Sequence, residues 1–279
     1  MKKILLPLLP ILILIGVVLS GCGANKETST TAKDNSQKEV VLKVGASSTP
    51  HAEILKFIEP ELKKQGIKLD IVVINDGIQT NQQTANGELD ANYFQHIPYL
   101  NQVNKDSGLD LISVKGIHIE PFGVYSKKIK SIDNLSDGAK IAIPKDPVNF
   151  SRALQLFATN GLIELKQKEK DNFDYTLEDI TKNDKHLQFI GVDGPVLVRS
   201  LDDVEAAAIN TNYALEGGFK PKKDALIIEG DQSPYVNILV ADKSRKNDKN
   251  IQKLAKALTS EEVRKFIEDK YQGAVVPAF

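Results

Sequence analysis

The chain has 279 residues and a formal net charge of −1, from 36 Lys and Arg against 37 Asp and Glu. A hydrophobic share of 41% with 26% charged residues suits a folded chain and excludes a disordered one. The balanced charge leaves no footprint for a nucleic-acid backbone, and one cysteine excludes a disulfide framework and any multi-thiolate metal site.

Lys2 and Lys3 precede a neutral run from Ile4 to Leu19 that contains Pro7, Pro10 and Gly16. The run is shorter than the roughly 20 residues of a membrane-spanning helix, so residues 1–21 read as a cleavable export signal. Cys22 follows Leu19-Ser20-Gly21, which resembles a bacterial lipobox and implies diacylglycerol on Cys22. Two acyl chains suffice for stable anchoring where one is marginal. Residues 22–39 hold the lipidated cysteine and a polar linker, with Ala24 and Ala32 its only aliphatic side chains. Such a coil averages roughly 20–25 Å end to end. The expected product is a globular body held on the extracytoplasmic face of a cell membrane.

The body alternates strands and helices. Val40–Ala46 predicts a strand, and Thr49-Pro50 a helix start, with Ile54, Leu55, Ile58 and Leu62 on one apolar face and Pro60 as a kink. Leu69–Ile74 predicts a second strand, followed by a polar stretch from Asn75 to Asn86. Further strands are expected at Leu111–Val114, Ile117–Tyr125 and Lys140–Pro144, and a helix over Ser151–Thr159 that stops at Asn160-Gly161. Leu187–Val192, Ala206–Asn210, Leu226–Glu229 and Tyr235–Ala241 read as strands, and one long amphipathic helix carries Ile251, Leu254, Leu258, Phe266 and Ile267. This alternation predicts an α/β fold with largely parallel sheets, arranged as two lobes.

Several polar residues fall where a core belongs. Arg152 lies in the first turn of a helix whose best N-cap is Asn149, where a cation costs a few tenths to about 1 kcal/mol unless an anion compensates. A bound carboxylate is one compensation; exposure to solvent or pairing with Asp146 are the others. Asn210 closes the run Ala206-Ala207-Ala208-Ile209, and Asn237 interrupts Tyr235–Val240. Each either holds a neighbouring loop or converges on a ligand, because an unsatisfied buried amide costs roughly 1–3 kcal/mol. Tyr93-Phe94-Gln95-His96-Ile97-Pro98-Tyr99 gathers three aromatics and a histidine, a pattern common in core packing beside a turn. His118 and Glu120 share one strand face, as a two-ligand metal fragment would. No phosphate loop, nucleophile elbow or His-Glu-x-x-His pattern occurs, so nothing points to catalysis.

The run Asp90-Ala91-Asn92-Tyr93-Phe94-Gln95-His96-Ile97-Pro98-Tyr99-Leu100 is similar to the signature of the NlpA lipoproteins, methionine-binding proteins of ABC importers. The resemblance continues, in order, through Phe122–Lys128, Pro144–Arg152, Ile209–Ala214 and Ser233–Asn237. It implies a two-lobed periplasmic-binding-protein fold of type II with the ligand cleft between lobes. Residues 40–125 with 236–279 form one expected lobe and 126–235 the other, with crossings near Tyr125–Ser131 and Glu229–Tyr235. The implied pocket comprises Phe94, His96, Asn149, Arg152, Asn210 and Asn237. Arg152 is expected to hold a ligand carboxylate, Asn210 and Asn237 the ammonium or carboxylate, and Phe94 and His96 an apolar slot. The implied partners are L-methionine or a related small ligand, an importer's permease and ATPase, and a membrane through the lipid anchor; no cofactor is implied. Gly77 stands where methionine-bound relatives commonly carry Tyr, which leaves an aromatic wall absent or supplied from elsewhere and room for a Met-containing dipeptide. The alternative function is a metal-binding lipoprotein of an ABC importer, using His51, His96, His118 or Glu120.

Overall fold

The computed structural model describes residues 39–74, 76–169 and 173–279. The export signal, Cys22 and the linker as far as Lys38 lie outside the described residues. In chain order the strands are β1 (Val40–Ala46), β2 (Ile67–Val73), β3 (Ala91–His96), β4 (Leu111–Ile119), β5 (Gly123–Tyr125), β6 (Lys140–Pro144) and β7 (Glu164–Leu165). They continue with β8 (Ile180–Lys182), β9 (Gln188–Val192), β10 (Ala206–Ile209), β11 (Ile227–Ile228), β12 (Val236–Asp242) and β13 (Val276–Pro277). The helices are α1 (Glu53–Lys64), α2 (Gly77–Ala85), α3 (Ile97–Ser107), α4 (Pro147–Thr159), α5 (Leu197–Ser200), α6 (Thr211–Glu216), α7 (Pro221–Asp224), α8 (Lys249–Leu258) and α9 (Glu261–Tyr271).

Two larger sheets organise the body, in the orders β13-β4-β12-β3-β1-β2 and β11-β5-β10-β6-β9. Both are mixed rather than largely parallel. In the first, β1 is parallel to β2 and β3, while β12 is antiparallel to β3 and β4. In the second, β6 runs parallel to β9 and β10, while β5 is antiparallel to β10 and β11. In the first sheet β12 explains the mixture: it returns late in the chain to lie between β4 and β3.

Each sheet has its own core. α1, α8 and α9 cover one face of the first sheet through Ile54, Leu55, Leu62, Leu254, Leu258 and Ile267, all buried. Each such side chain contributes about 1.5–3 kcal/mol, so Leu254→Ala is expected to cost about 2–5 kcal/mol. In the second sheet, Leu154 and Phe157 of α4 pack on one face and Leu197 of α5 on the other. β1 is exposed at its start and buried continuously over Val44–Ala46, the residues that pair with β3 as well as β2.

Several sequence expectations change. The polar stretch after Asn75 contains α2, which docks on β3 through amides: Asn81 and Gln95 bond each other, and Asn92 Nδ2 donates to Asn81 and Thr84. An amide-mediated helix has no apolar stripe for periodicity to detect. The single long terminal helix is two, because Ser260 N-caps α9 after α8 has ended. The chain leaves the first sheet after Ile119, since β5 pairs in the second. α4 begins at Pro147 behind an Asp146 N-cap, so Arg152 sits in its second turn and the helix-dipole argument for it does not hold.

Candidate functional site

A cleft of about 530 Å³ opens where elements of the two sheets face one another, and Phe94, His96, Asn149, Arg152, Asn210 and Asn237 all line it. Strand ends bring three of them together. His96 closes β3 and N-caps α3, while Asn237 sits in β12 between His96 and His118 on the flanking strands. Asn210 directly follows β10, and Asn149 and Arg152 share α4.

Asn149 joins the two sides. Its Nδ2 donates to both Asp146 carboxylate oxygens, at 3.0 and 3.1 Å. Its Oδ1 accepts from His96 Nε2 at 3.2 Å and from Asn210 Nδ2 at 3.0 Å. With its amide committed, Asn149 positions neighbours. His96 is thereby fixed as the neutral tautomer with the proton on Nε2, because Nδ1 accepts from the Tyr99 N–H at 3.2 Å. Burial, aided by the Arg152 charge, lowers its pKa to about 3.

The two remaining asparagines have opposite polarity toward the cleft. Asn210 commits its Nδ2 to Asn149, which leaves Oδ1 as its acceptor group. Asn237 Oδ1 accepts a hydrogen bond from His51 Nε2 at 3.0 Å, which leaves Nδ2 as its donor group. One amide can thus accept from an ammonium while the other donates to a carboxylate.

Arg152 is not a free cation. Its Nε donates to Glu229 Oε1 at 2.8 Å, and Nη2 to Glu229 Oε2 at 2.5 Å and to the Glu120 carbonyl at 2.9 Å. The guanidinium also stacks on Tyr235 and Phe122, 4.0 and 5.0 Å from their ring centres. The anion that compensates Arg152 is therefore Glu229, neither solvent nor Asp146. Nη1 is the nitrogen outside these contacts. Glu229 was missed because it lies 77 positions away along the chain, at the end of a short edge strand.

Phe94 and Tyr99 form the apolar wall, with rings 6.2 Å apart in an edge-to-face arrangement. A Cβ on Gly77 would stand 2.8 Å from the Phe94 ring and 2.9 Å from the Tyr99 hydroxyl. The aromatic wall beside Gly77 is thus supplied from β3 and α3, and Gly77 itself lines the cleft.

Beneath Asn237, a buried chain of polar contacts links three elements. The Tyr93 hydroxyl donates to His118 Nδ1 at 2.5 Å, and His118 Nε2 donates to Glu120 Oε1 at 2.8 Å. Glu120 Oε2 accepts the Asn212 N–H at 3.0 Å. His51 Nε2 lies 3.4 Å from Glu120 Oε1. Burial lowers the pKa values to about 4 for His51 and about 3 for His118, and raises that of Glu120. Of the four residues named for a metal, His51, His118 and Glu120 cluster, whereas His96 is held apart by Asn149 and Tyr99.

Residues 42–279 match the NlpA lipoprotein family. The chain belongs to that family. Among relatives, it is 40% identical to the methionine-binding lipoprotein MetQ of Bacillus subtilis, with 99% of each chain covered. The D-methionine-binding lipoprotein MetQ of Escherichia coli K12 is 38% identical over 94% of each. A nutrient-binding protein from Burkholderia cenocepacia, solved bound to methionine, superimposes with a TM-score of 0.82 at 41% identity, over 85% of this chain and 100% of that one. The NlpA-family fold is thus the substrate-binding-protein architecture, here built around the cleft of Asn149 and Arg152.

Proposed function

We propose that this NlpA lipoprotein captures L-methionine, or a closely related α-amino acid, and delivers it to an ABC importer. The preset polarity of the cleft carries this reading. Asn237 Nδ2 and Arg152 face a carboxylate, Asn210 Oδ1 faces an ammonium, and the Phe94–Tyr99 wall receives the side chain. A thioether against such rings contributes about 0.3–1.5 kcal/mol. Asn149 and Glu229 hold the amide and guanidinium in place before ligand arrives, which lowers the ordering cost of binding. The family relationship and the methionine-bound relative support the ligand class.

The two sheets act as two lobes that close on the ligand, the chain crossing between them over 120–122 and again over 229–235. Cys22 carries the lipid that anchors the protein at the outer face of the cell membrane, and the partners are the importer's permease and its ATPase. The protein binds and releases its ligand without chemistry: His96 and Asp146 are engaged in hydrogen bonds with Asn149, and the relatives are binding proteins by name. Mass spectrometry of small molecules released on denaturing the purified protein tests this. Methionine or a near relative is the expected release, and calorimetric titration should follow with the same compound. A protein that releases no amino acid and binds none in titration contradicts it.

A further inference from the structure

The cluster beneath the cleft has a use that amino-acid capture does not require. We propose that His51, His118 and Glu120 bind one divalent transition-metal ion of the zinc class, with the Asn237 amide oxygen as a fourth donor. The three side chains offer ligand atoms that all lie within 4.8 Å of one another. His118 Nε2 and Glu120 Oε1 are 2.8 Å apart, His51 Nε2 and Glu120 Oε1 3.4 Å, and His51 Nε2 and Asn237 Oδ1 3.0 Å. Donors at about 2.0–2.2 Å from a tetrahedral zinc stand about 3.3–3.6 Å from one another, so these three pairs need to open by no more than about 0.8 Å.

The donor set suits the ion. Two imidazoles and a carboxylate form a common zinc ligand set, and an amide or water oxygen completes four-coordination. His118 already has an outer partner, since Tyr93 holds its Nδ1; with Nε2 on a metal, the proton moves to Nδ1 and the tyrosine oxygen accepts it. Glu120 is the only carboxylate in the cluster, and the nearest guanidinium, Arg152, is committed to the Glu229 carboxylate. A cation therefore supplies the charge that Glu120 lacks in a buried setting. Access exists because Glu120 and Asn237 line the cleft. Metal on Asn237 Oδ1 leaves Nδ2 facing the cleft, so ion and amino acid can be bound together.

The full-length chain, purified in detergent without a histidine tag and stripped with chelator, is titrated with CoCl2. Visible d–d bands of four- or five-coordinate cobalt should saturate at one equivalent, disappear on adding Zn2+, and be absent from Glu120→Gln and His118→Gln. The His186→Ala variant, altered at the exposed His186–Asp137 pair, should keep them. No bands in the wild type, with a thermal midpoint unmoved by excess Zn2+, overturns the proposal. So do bands that persist in both cluster variants or vanish with His186→Ala. Should the cluster variants unfold, cobalt-edge X-ray absorption of the wild type decides: two imidazoles are required, and an all-oxygen shell refutes the site. Methionine titration of the chelated protein reports separately on the amino-acid site.

Discussion

Replacing Arg152 by alanine separates two roles that the structure assigns to one side chain. The substitution removes both charge-assisted bonds to Glu229, the bond to the Glu120 carbonyl, and the stacking on Tyr235 and Phe122. Breaking a buried ion pair by deleting one partner costs about 3–5 kcal/mol. The Glu229 side chain keeps 16% exposure and can regain some hydration, which places the cost near the lower end. A loss of about 3 kcal/mol lowers a urea midpoint by about 1–2 M for an ordinary slope, and a native state of ordinary stability remains folded. Glu229→Gln alone should cost less, and the double variant should recover about 1–3 kcal/mol relative to additivity because the two side chains share their contacts. Methionine affinity should fall by about 2–4 kcal/mol in Arg152→Ala, measured by calorimetry on the folded variant. A urea midpoint equal to wild type, with additive single effects, would show that the pair is not formed. Unchanged affinity would remove Arg152 from the ligand site.

Four further outcomes are expected. Gly77→Tyr should weaken methionine binding, because its Cβ alone meets the Phe94 ring at 2.8 Å and forces the wall to move; titration showing tighter binding would refute this packing. Asn237→Asp sets a carboxylate beside Glu120 and opposite the ligand carboxylate, and should cost about 2 kcal/mol or more of affinity, whereas Asn210→Asp faces the ammonium and should cost less; the reverse order would overturn the amide assignment. Stability should fall with acid: His51, His96 and His118 have folded pKa values lowered to about 4, 3 and 3, so below about pH 6.5 the unfolded chain binds protons the native state refuses. Urea unfolding between pH 7 and 5 should show uptake of up to about three protons, opposed at lower pH by Glu120, whose raised pKa favours the native state there. Cys22→Ala should leave an unprocessed precursor without lipid, and labelled-lipid incorporation equal to that of the parent would end the anchor assignment.

The local chain determined a good deal. Strand β1, the core face of α1, the strand Lys140–Pro144 and the buried run Ala206–Ile209 all follow from short-range hydrophobic patterning, which needs no knowledge of neighbours. The six cleft residues were legible for a different reason: they are polar or aromatic groups set among apolar strand ends, in runs similar to a known signature. Tertiary structure alone decided how they are used. Arg152 has its anion in Glu229, Gly77 has its wall from Phe94 and Tyr99, and α2 is held by buried amides rather than an apolar stripe. The antiparallel return of β12 places Asn237 between His96 and His118 and sets the polarity of its amide through His51, 186 positions away. Hydrogen bonds and ion pairs act over about 3 Å in space and carry no period along the chain, so no local reading of the sequence contains them.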